Sequence, residues 1–516
     1  MGGLGHSIVL TSDKTLMSSY NGSMFVGFAA CFPRVLPKWL YTRVFCPPQN
    51  RWSGAVDYAP GGLRKIEAAL IDSGISASEI AVAHPDKLHK AIDHTTKVIG
   101  ITTSDPLGLG PASSTFSSLL RREPYTAYFF RQLMNDPVLR ASGAKIIVGG
   151  PGAWQLQGET ARKTMGIDCL VEGEGEQVAP PLFKDALAGK PIPPRVFGGT
   201  VPVDQIPLVK NATINGNVEI SRGCGRGCDF CSPNMRTVRH LPLDRVLEEV
   251  KINLRVGDRI TLHAEDVLRW KAKGMVPDRT AVAELFQKVV KLSDNVCMSH
   301  FALSSALACP GLIEDVSHLM EVDKGTNVYG QTGIETGSPA LVSKHMKGKA
   351  KPFEPEKWSE VVEESFKLLH DNHWVPCGTL VMGMPGERAQ DVEMTIELIR
   401  NLRPYKSLIV PLFFVPLGEM KEDEFFKAEA MLPEHWTLLG ECIEHDFHWV
   451  PNLMEELFAQ NKLSVAKTSA FKLASWYMQH RIKGTIEIMK EGKDPRDEAP
   501  PLATESWAFE KTRLEA

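Results

Sequence analysis

The sequence predicts an α/β protein: two regions of alternating strand and helix followed by a mainly helical tail. Three observations carry this. The 516 residues are 43% apolar and 23% charged, an ordinary globular balance that excludes collagen, coiled coil and full disorder. Short apolar runs alternate with helical periodicity from Gly62 to Val171, the pattern of a parallel, doubly wound sheet. After a Pro-rich stretch the alternation resumes at Val218 and gives six strand–helix units, a partial barrel.

Charge and cysteine usage narrow the function classes. Basic residues number 58 and acidic residues 62, a net charge of −4, so no bulk basic field for nucleic acid or anionic membrane exists. Ten cysteines are far too few for a disulfide scaffold and suggest a reducing compartment. The apolar run Met24 to Phe32 is too short to span a bilayer and lacks a basic region before it. A cytoplasmic protein with neither a nucleic-acid nor a membrane partner is expected.

The elements follow in order. The first fifty residues read as irregular. Leu63, Ile66, Leu70 and Ile71 share one helical face, and Gly74 stands where that helix would be capped. Ile80 to Ala83 is a strand candidate and Asp86 to Ile92 a short helix. Val98 to Thr102 is a buried strand, and Tyr125 to Leu139 a helix. Ile146 to Val148 and Cys169 to Val171 are strands ending in glycine-rich loops. Residues 1–195 form the first domain, and the Pro-rich segment 196–217 reads as a linker. Barrel strands are expected at Val218 to Ser221, Arg259 to His263, Met298 to Ser304, Asn327 to Ile334, Gly378 to Met382 and Ser407 to Phe414. Helices between them include Leu243 to Leu254, Thr280 to Leu292 and Lys357 to Asp371. These elements fill residues 218–415. Residues 416–516 form the helical cap, its last twenty residues loosely held.

The chemistry concentrates in Cys224, Cys228 and Cys231. Their C-x3-C-x2-C spacing follows the first barrel strand directly, and Gly223, Gly225 and Gly227 permit a tight loop. Three soft thiolates suit an iron–sulfur cluster or zinc. A structural zinc normally takes four ligands; no fourth cysteine is near and His240 is isolated.

The segment resembles the signature of the radical S-adenosylmethionine (SAM) superfamily, with Phe230 as the aromatic residue before the third cysteine. The resemblance implies a 4Fe–4S cluster whose open iron chelates SAM, and electron transfer that cleaves SAM to a 5′-deoxyadenosyl radical. It implies roles at later strand ends. Glu265, in a His-Ala-Glu-Asp segment where the family often has Gly-Gly-Glu, would receive the SAM ammonium group. Ser304 or Ser305 would touch the ribose. Glu335, in Gly-Ile-Glu-Thr-Gly, would bind SAM beside Gln331. Gly383 would let the adenine approach. Each has a plainer reading as a loop carboxylate or a barrel-core residue.

The first domain resembles the cobalamin-binding domain that precedes the radical SAM core in one large class of methylases, termed class B. The matching parts are the helix from Gly61, Thr103, Ser104 and Gly108 after one strand, Gly149, Gly150, Pro151 and Gly152 after another, and Glu172, Gly173 and Gly175 after a third. The resemblance implies bound methylcobalamin. No D-x-H-x-x-G motif supplies a lower cobalt ligand, leaving His84, His89, His94, Tyr125 and Tyr128 as weak candidates. A fold that has lost its cofactor is the plainer reading.

In the cap, Trp436, Trp449, Trp476 and Trp507 read as core. Cys442, His445 and His448 read as a partly exposed helix face, with a metal corner as the alternative. Cys31, Cys46, Cys169, Cys297, Cys309 and Cys377 read as buried packing residues.

Together these parts imply a cobalamin-dependent radical SAM C-methyltransferase working without oxygen and fed by an external electron donor. The general look is similar to archaeal, methanogen glutamine C-methyltransferases, which implies a peptide or protein substrate such as the alpha subunit of methyl-coenzyme M reductase. The rivals are a cyclase or rearrangement enzyme with the same domains, and a non-catalytic cobalamin or redox sensor. A methylthiotransferase would carry an N-terminal cysteine triad and a C-terminal RNA-binding barrel, neither visible in the sequence.

Overall fold

The computed structural model describes residues 5–22, 24–47, 49, 55–323, 326–460, 476, 479–480 and 482–498. Its contacts divide it into two units. One holds the chain up to Val218 together with Leu241–Ile260; the other holds Glu219–His240 and the chain from Thr261 onward. Among the described residues no helix is long and apolar enough to cross a membrane.

The first unit is a six-stranded parallel sheet. Its strands are β1 (Ile8–Ser12), β2 (Ile80–Val82), β3 (Val98–Thr102), β4 (Lys145–Gly149), β5 (Cys169–Gly173) and β6 (Arg195–Gly198), in spatial order β2-β1-β3-β4-β5-β6. Strand alternation divides the side chains between two cores. Ile8 and Leu10 pack on one face with Leu63, Leu70 and Phe183. Val9 packs on the other with Ile99, Phe130 and Leu133. Burial on both faces explains why these strands read as continuous apolar runs. Helix α1 (Gly61–Asp72) ends as its sequence predicts: Gly74 has φ +96°, and the amides of Gly74 and Ile75 return to the carbonyls of Ile71 and Leu70, a Schellman closure.

Three expectations are corrected in this unit. The first fifty residues are not irregular throughout, because Ile8–Ser12 is a central strand paired on both sides. Segment 196–217 is not a free linker: its start belongs to β6, and Val201, Ile206 and Val209 are fully buried. The helix predicted from Tyr125 to Leu139 breaks into α3 (Tyr125–Met134), after α2 (Pro111–Leu120), and a short Pro137–Ala141 turn. Asp136 causes the break by capping the new start, accepting from the amides of Val138 and Leu139.

After α4 (Ala179–Leu187) the chain reaches the barrel strands β7 (Asn217–Glu219), β8 (Arg259–His263), β9 (Asn295–Met298), β10 (Val328–Glu335), β11 (Trp374–Met382) and β12 (Leu408–Phe413). They form two three-stranded sheets, β9-β8-β7 and β10-β11-β12, joined by a parallel bridge between His300 and Gln331. Six strands thus stand in chain order, as a partial barrel requires. Helix α5 (Leu243–Asn253) sorts with the first unit. There Glu249 pairs with Lys65 in a buried ion pair, and Asn253 accepts from the amide and hydroxyl of Thr213.

Two further strand expectations are corrected. Val218 to Ser221 is interrupted, because Ser221–Arg222 pairs antiparallel with Arg239–His240 instead. Met298 to Ser304 is not one strand: β9 ends at Met298, and Ser304 lies in helix α6 (Leu303–Ala308). The cap holds one long helix, α7 (Pro433–Gln460), with Pro451 inside it.

Candidate active site

The three cysteines occupy a loop held open by backbone conformation. Gly223, Gly225 and Gly227 all have φ near +70 to +78°, a region closed to most side chains. The amides of Cys224 and Gly225 both donate to the carbonyl of Met235, and the Asp229 amide donates to the carbonyl of His345. His240 is not isolated: its Nδ1 hydrogen-bonds the Ser221 hydroxyl at 2.7 Å.

Two buried guanidiniums fix this loop to the barrel. Arg226 donates to the carbonyls of Gly348, Lys349 and Lys351, and to Asp266 at 3.0 Å and Ser305 at 2.8 Å. Arg269 donates to Asp266 at 3.1 Å and to the carbonyl of Cys224. Asp266 also accepts from Ser305 and from the amide of Ala302. One buried carboxylate at the end of β8 therefore balances two cations and orients the cysteine loop, an arrangement stable only while every partner is present.

The sulfurs differ in electrostatics. A hydrogen bond with Cys231 holds the Cys228 thiol below its ordinary range, against burial and with help from the charges of Lys349 and Arg226. The same hydrogen bond, then burial, pushes Cys231 far up. Burial raises Cys224. Among the described residues no three His, Cys, Asp or Glu side chains gather as ligands of a single ion, which a tetrahedral zinc needs. Three soft donors on one glycine loop fit an iron–sulfur cluster, where each thiolate takes its own iron.

The barrel face beside this loop is divided. Along β10 burial alternates, with Tyr329, Gln331, Gly333 and Glu335 on the less buried side. Register pairs Gly333 with Thr379 and Thr379 with Val410, and Val381 with Leu412. The β8 to β10 side is polar, with His263, Glu265, His300, Gln331 and Glu335. The β11 to β12 side is mainly apolar, with Thr379, Val381, Val410 and Leu412. A ligand with an ionic end and a flat aromatic end fits such a division.

The expected SAM residues take different situations. Glu265 is half-buried and accepts no hydrogen bond from a described residue, leaving its carboxylate available. Gln331 Oε1 meets His300 Nε2 at 3.0 Å. Glu335 is paired with Lys349 at 2.6 Å and lies just past a β-bulge at φ +66°, a costly backbone state for a glutamate. A Cβ on Gly333 would meet the ends of the Glu335 and Lys349 side chains, so this ion pair lies directly over the glycine. Ser304 is fully buried and donates to the Lys349 carbonyl at 2.8 Å; Ser305 is part of the Asp266 cluster. The group that closely approaches Gly383 is the ring of Phe426.

Sequence reasoning passed over Arg226, Asp266, Arg269, Lys349 and His300. Arg226 between two cysteines and Asp266 beside Glu265 were visible signals; Lys349 had none. The Nδ1 atoms of His263 and His300 are buried with no partner, so this region holds unspent hydrogen-bonding capacity.

In the first unit the strand order reverses direction between β1 and β3, the switch point where doubly wound sheets hold ligands. Asp13 and Thr103 follow those strands, both fully buried, and Asp13 Oδ2 and Thr103 Oγ1 have no partner. The glycines nearby are closely packed. A Cβ on Gly108 would strike Pro124; on Gly150, Thr102 and Thr103; on Gly152, Ser104 and Pro106; on Gly173, Gly198. Gly149 and Gly175 are close to Val171 and Ile66. Ser104 and Pro151 are exposed. Glu172 pairs with Arg195 at 2.6 Å. His84 caps a turn through Asp86, and Tyr125 donates to Leu36; His89 and His94 are exposed, and Arg34 lies over the Tyr128 ring.

The cap also departs from expectation. Of the expected partly exposed face only His448 is exposed; Cys442 and His445 are buried, and His445 Nε2 meets the Ser407 hydroxyl at 2.8 Å. Trp436 is core, Trp476 is exposed, and Trp507 lies outside the described residues. Cys31, Cys297 and Cys309 are half-buried; Cys46, Cys169 and Cys377 are buried.

Residues 218–399 match the family profile of the Radical SAM superfamily. A tRNA-2-methylthio-N(6)-dimethylallyladenosine synthase of Herpetosiphon aurantiacus is 24% identical over 194 residues, 37% of this chain and 41% of that protein. The enzyme of the same name from Orientia tsutsugamushi (strain Ikeda) is 23% identical over 199 residues, 38% and 42% of the two chains. The chain therefore spans about two fifths of the length of these relatives. Among solved structures, the radical S-adenosylmethionine methyltransferase TsrM from Kitasatospora setae, with tryptophan substrate and a SAM analogue bound, is similar at a TM-score of 0.55 and 15% identity. That likeness covers 80% of this chain and 75% of that one. With its three-cysteine loop following the first strand of a six-strand barrel, this α/β chain carries a radical SAM domain.

Proposed function

We propose that the chain is a cobalamin-dependent radical SAM methyltransferase that methylates an unactivated carbon. The observation that carries the reading is the presence, in one chain, of the three-cysteine barrel and a β2-β1-β3 switch-point sheet. Support for cobalamin comes from Asp13 Oδ2 and Thr103 Oγ1 at that switch point, two buried atoms with no hydrogen-bond partner among the described residues, which fit a ligand rich in amide donors and acceptors. When bound, the cluster supplies one-electron cleavage of SAM and cobalamin a transferable methyl group.

The chain's residues would hold and shield these groups. Cys224, Cys228 and Cys231 would hold the cluster. Glu265 would take the SAM ammonium group. Val381, Val410 and Leu412 would pack its adenine and exclude water there. Asp266 would keep Arg226 and Arg269, and so the loop, in place. The finer substrate proposal, a glutamine Cα in methyl-coenzyme M reductase, rests on overall resemblance.

The test is anaerobic incubation of the reconstituted protein with SAM, reductant, cobalamin and candidate peptides, including one from that reductase. Mass spectrometry should show a gain of about 14 Da, one CH2 unit, on a peptide, together with 5′-deoxyadenosine. Cys228→Ala should abolish both. Deoxyadenosine with product but no added methyl would favour the cyclase reading; its absence would favour the sensor. An iron-loaded protein that fails to bind cobalamin would overturn the methylase assignment.

A further inference from the structure

Between Pro339 and Phe353 the sequence holds Lys344, Lys347, Lys349 and Lys351 and no acidic residue. Lys349 is turned inward to Glu335. The other three are exposed and line a groove of about 840 Å³. Its lining also includes Met275, Phe353 and Val276, which is 51% exposed, and two carboxylates, Glu354 and Glu356. Apolar side chains beside cationic ones make a surface suited to a protein partner rather than to bulk water.

The same segment touches the cysteine loop. Arg226, between Cys224 and Cys228, donates to the carbonyls of Gly348, Lys349 and Lys351. Gly348 is packed so closely that a Cβ would strike the Arg226 backbone. The Lys349 charge acts on both Cys228 and Cys231. Lys347 and Lys351 therefore flank a stretch of backbone whose inner side meets the cluster loop and whose outer side is solvent.

We infer that this lysine-rimmed groove is the docking surface for an acidic one-electron carrier protein that reduces the cluster. The inference rests on the radical SAM reading of the cysteine loop. One electron leaves the carrier, whose anionic flavin hydroquinone becomes the neutral semiquinone with no proton released, and the oxidised cluster would gain that electron. Complementary charge mainly speeds the encounter, so the rate should fall with salt.

The experiment uses the reconstituted full chain, reduced flavodoxin as the carrier, and the double variant Lys347→Glu/Lys351→Glu. Surface plasmon resonance measures binding, and stopped-flow absorbance measures cluster reduction. The variant should bind flavodoxin at least tenfold more weakly at low salt and be reduced correspondingly more slowly. Reduction by dithionite, a small inorganic donor, should stay within twofold of wild type, with equal iron content. Wild-type affinity for flavodoxin in the variant would overturn the docking surface, as would equal slowing with both donors. Failure of the wild-type chain to assemble any cluster would instead overturn the radical SAM reading. Lys347→Gln/Lys351→Gln, which only removes charge, should give an intermediate loss; an unchanged rate there, with loss in the Glu variant, would assign the effect to introduced repulsion and overturn the proposal.

Discussion

Two glycine-rich loops at strand ends look alike in sequence and serve opposite purposes. In the cysteine loop, Gly225 and Gly227 have positive φ, yet a Cβ on Gly227 would meet nothing within 4 Å, and one on Gly225 nothing nearer than 3.7 Å. In the loop after β4, a Cβ on Gly150 would lie 2.6 Å from Thr102, and one on Gly152 would lie 2.5 Å from Ser104. At Gly225 and Gly227 the first loop uses glycine for backbone direction in open space; only Gly223, whose Cβ would strike the Thr237 carbonyl oxygen, is packed as well. The second uses it to pack loop on loop. Glycine content alone therefore does not separate a loop held in open space from one packed on its neighbour.

If open space around the cysteine loop must be propped from outside, its support should be the most sensitive point. Asp266→Ala leaves Arg226 and Arg269 facing each other uncompensated in a buried site. A loss of about 3–5 kcal/mol is expected, read as a lowered urea midpoint with iron content after reconstitution falling in parallel. Normal iron content in a destabilised variant would show that the loop keeps its form without that support and would break the comparison.

What was legible in the sequence follows from the range of the physics involved. The parallel strands announced themselves because both faces are buried, and Val98 to Thr102 and Arg259 to His263 fall on their predicted bounds. The cysteine loop was legible because its spacing is local. Ile8–Ser12 was not, since its identity as a strand depends on partners about 70 and 90 residues away. Lys349 was invisible for the same reason: only the fold brings it to Glu335 and the thiols. Gly150 and Gly152 were legible as glycines, but that another loop fills their Cβ space was not, since it depends on contacts nearly fifty residues away in the chain.

The buried Asp13 carboxyl at the switch point gives the next largest effect. Burial pushes the Asp13 carboxyl up to about 6 from an ordinary 3.8, against its hydrogen bonds from Thr15 and Leu16. Between these values the folded chain holds a proton that the unfolded chain has released, so stability falls as pH rises from about 4 to 6 and is level above that. The difference corresponds to about 3 kcal/mol at most. Asp13→Asn removes the charged form. Urea melts at pH 4 through 7 should show the variant gaining on wild type as pH rises; parallel curves would mean that Asp13 Oδ2 finds a partner in solution.

The two loops themselves give the smallest and sharpest test, through a reversal of rank. Gly227 sits at φ +71° in open space, so Gly227→Ala should cost about 1–2 kcal/mol from backbone handedness alone. Gly227→Asn should cost less, because asparagine tolerates that conformation. Gly152 sits at φ −88°, an ordinary conformation, so Gly152→Ala is penalised only by crowding, about 1–3 kcal/mol. Gly152→Asn, which adds more atoms to the same contact, should cost more than alanine. Thermal melts of the four variants decide it. If asparagine cost more than alanine at Gly227, the loop would be crowded rather than open at that position, and the contrast with Gly152 would not hold.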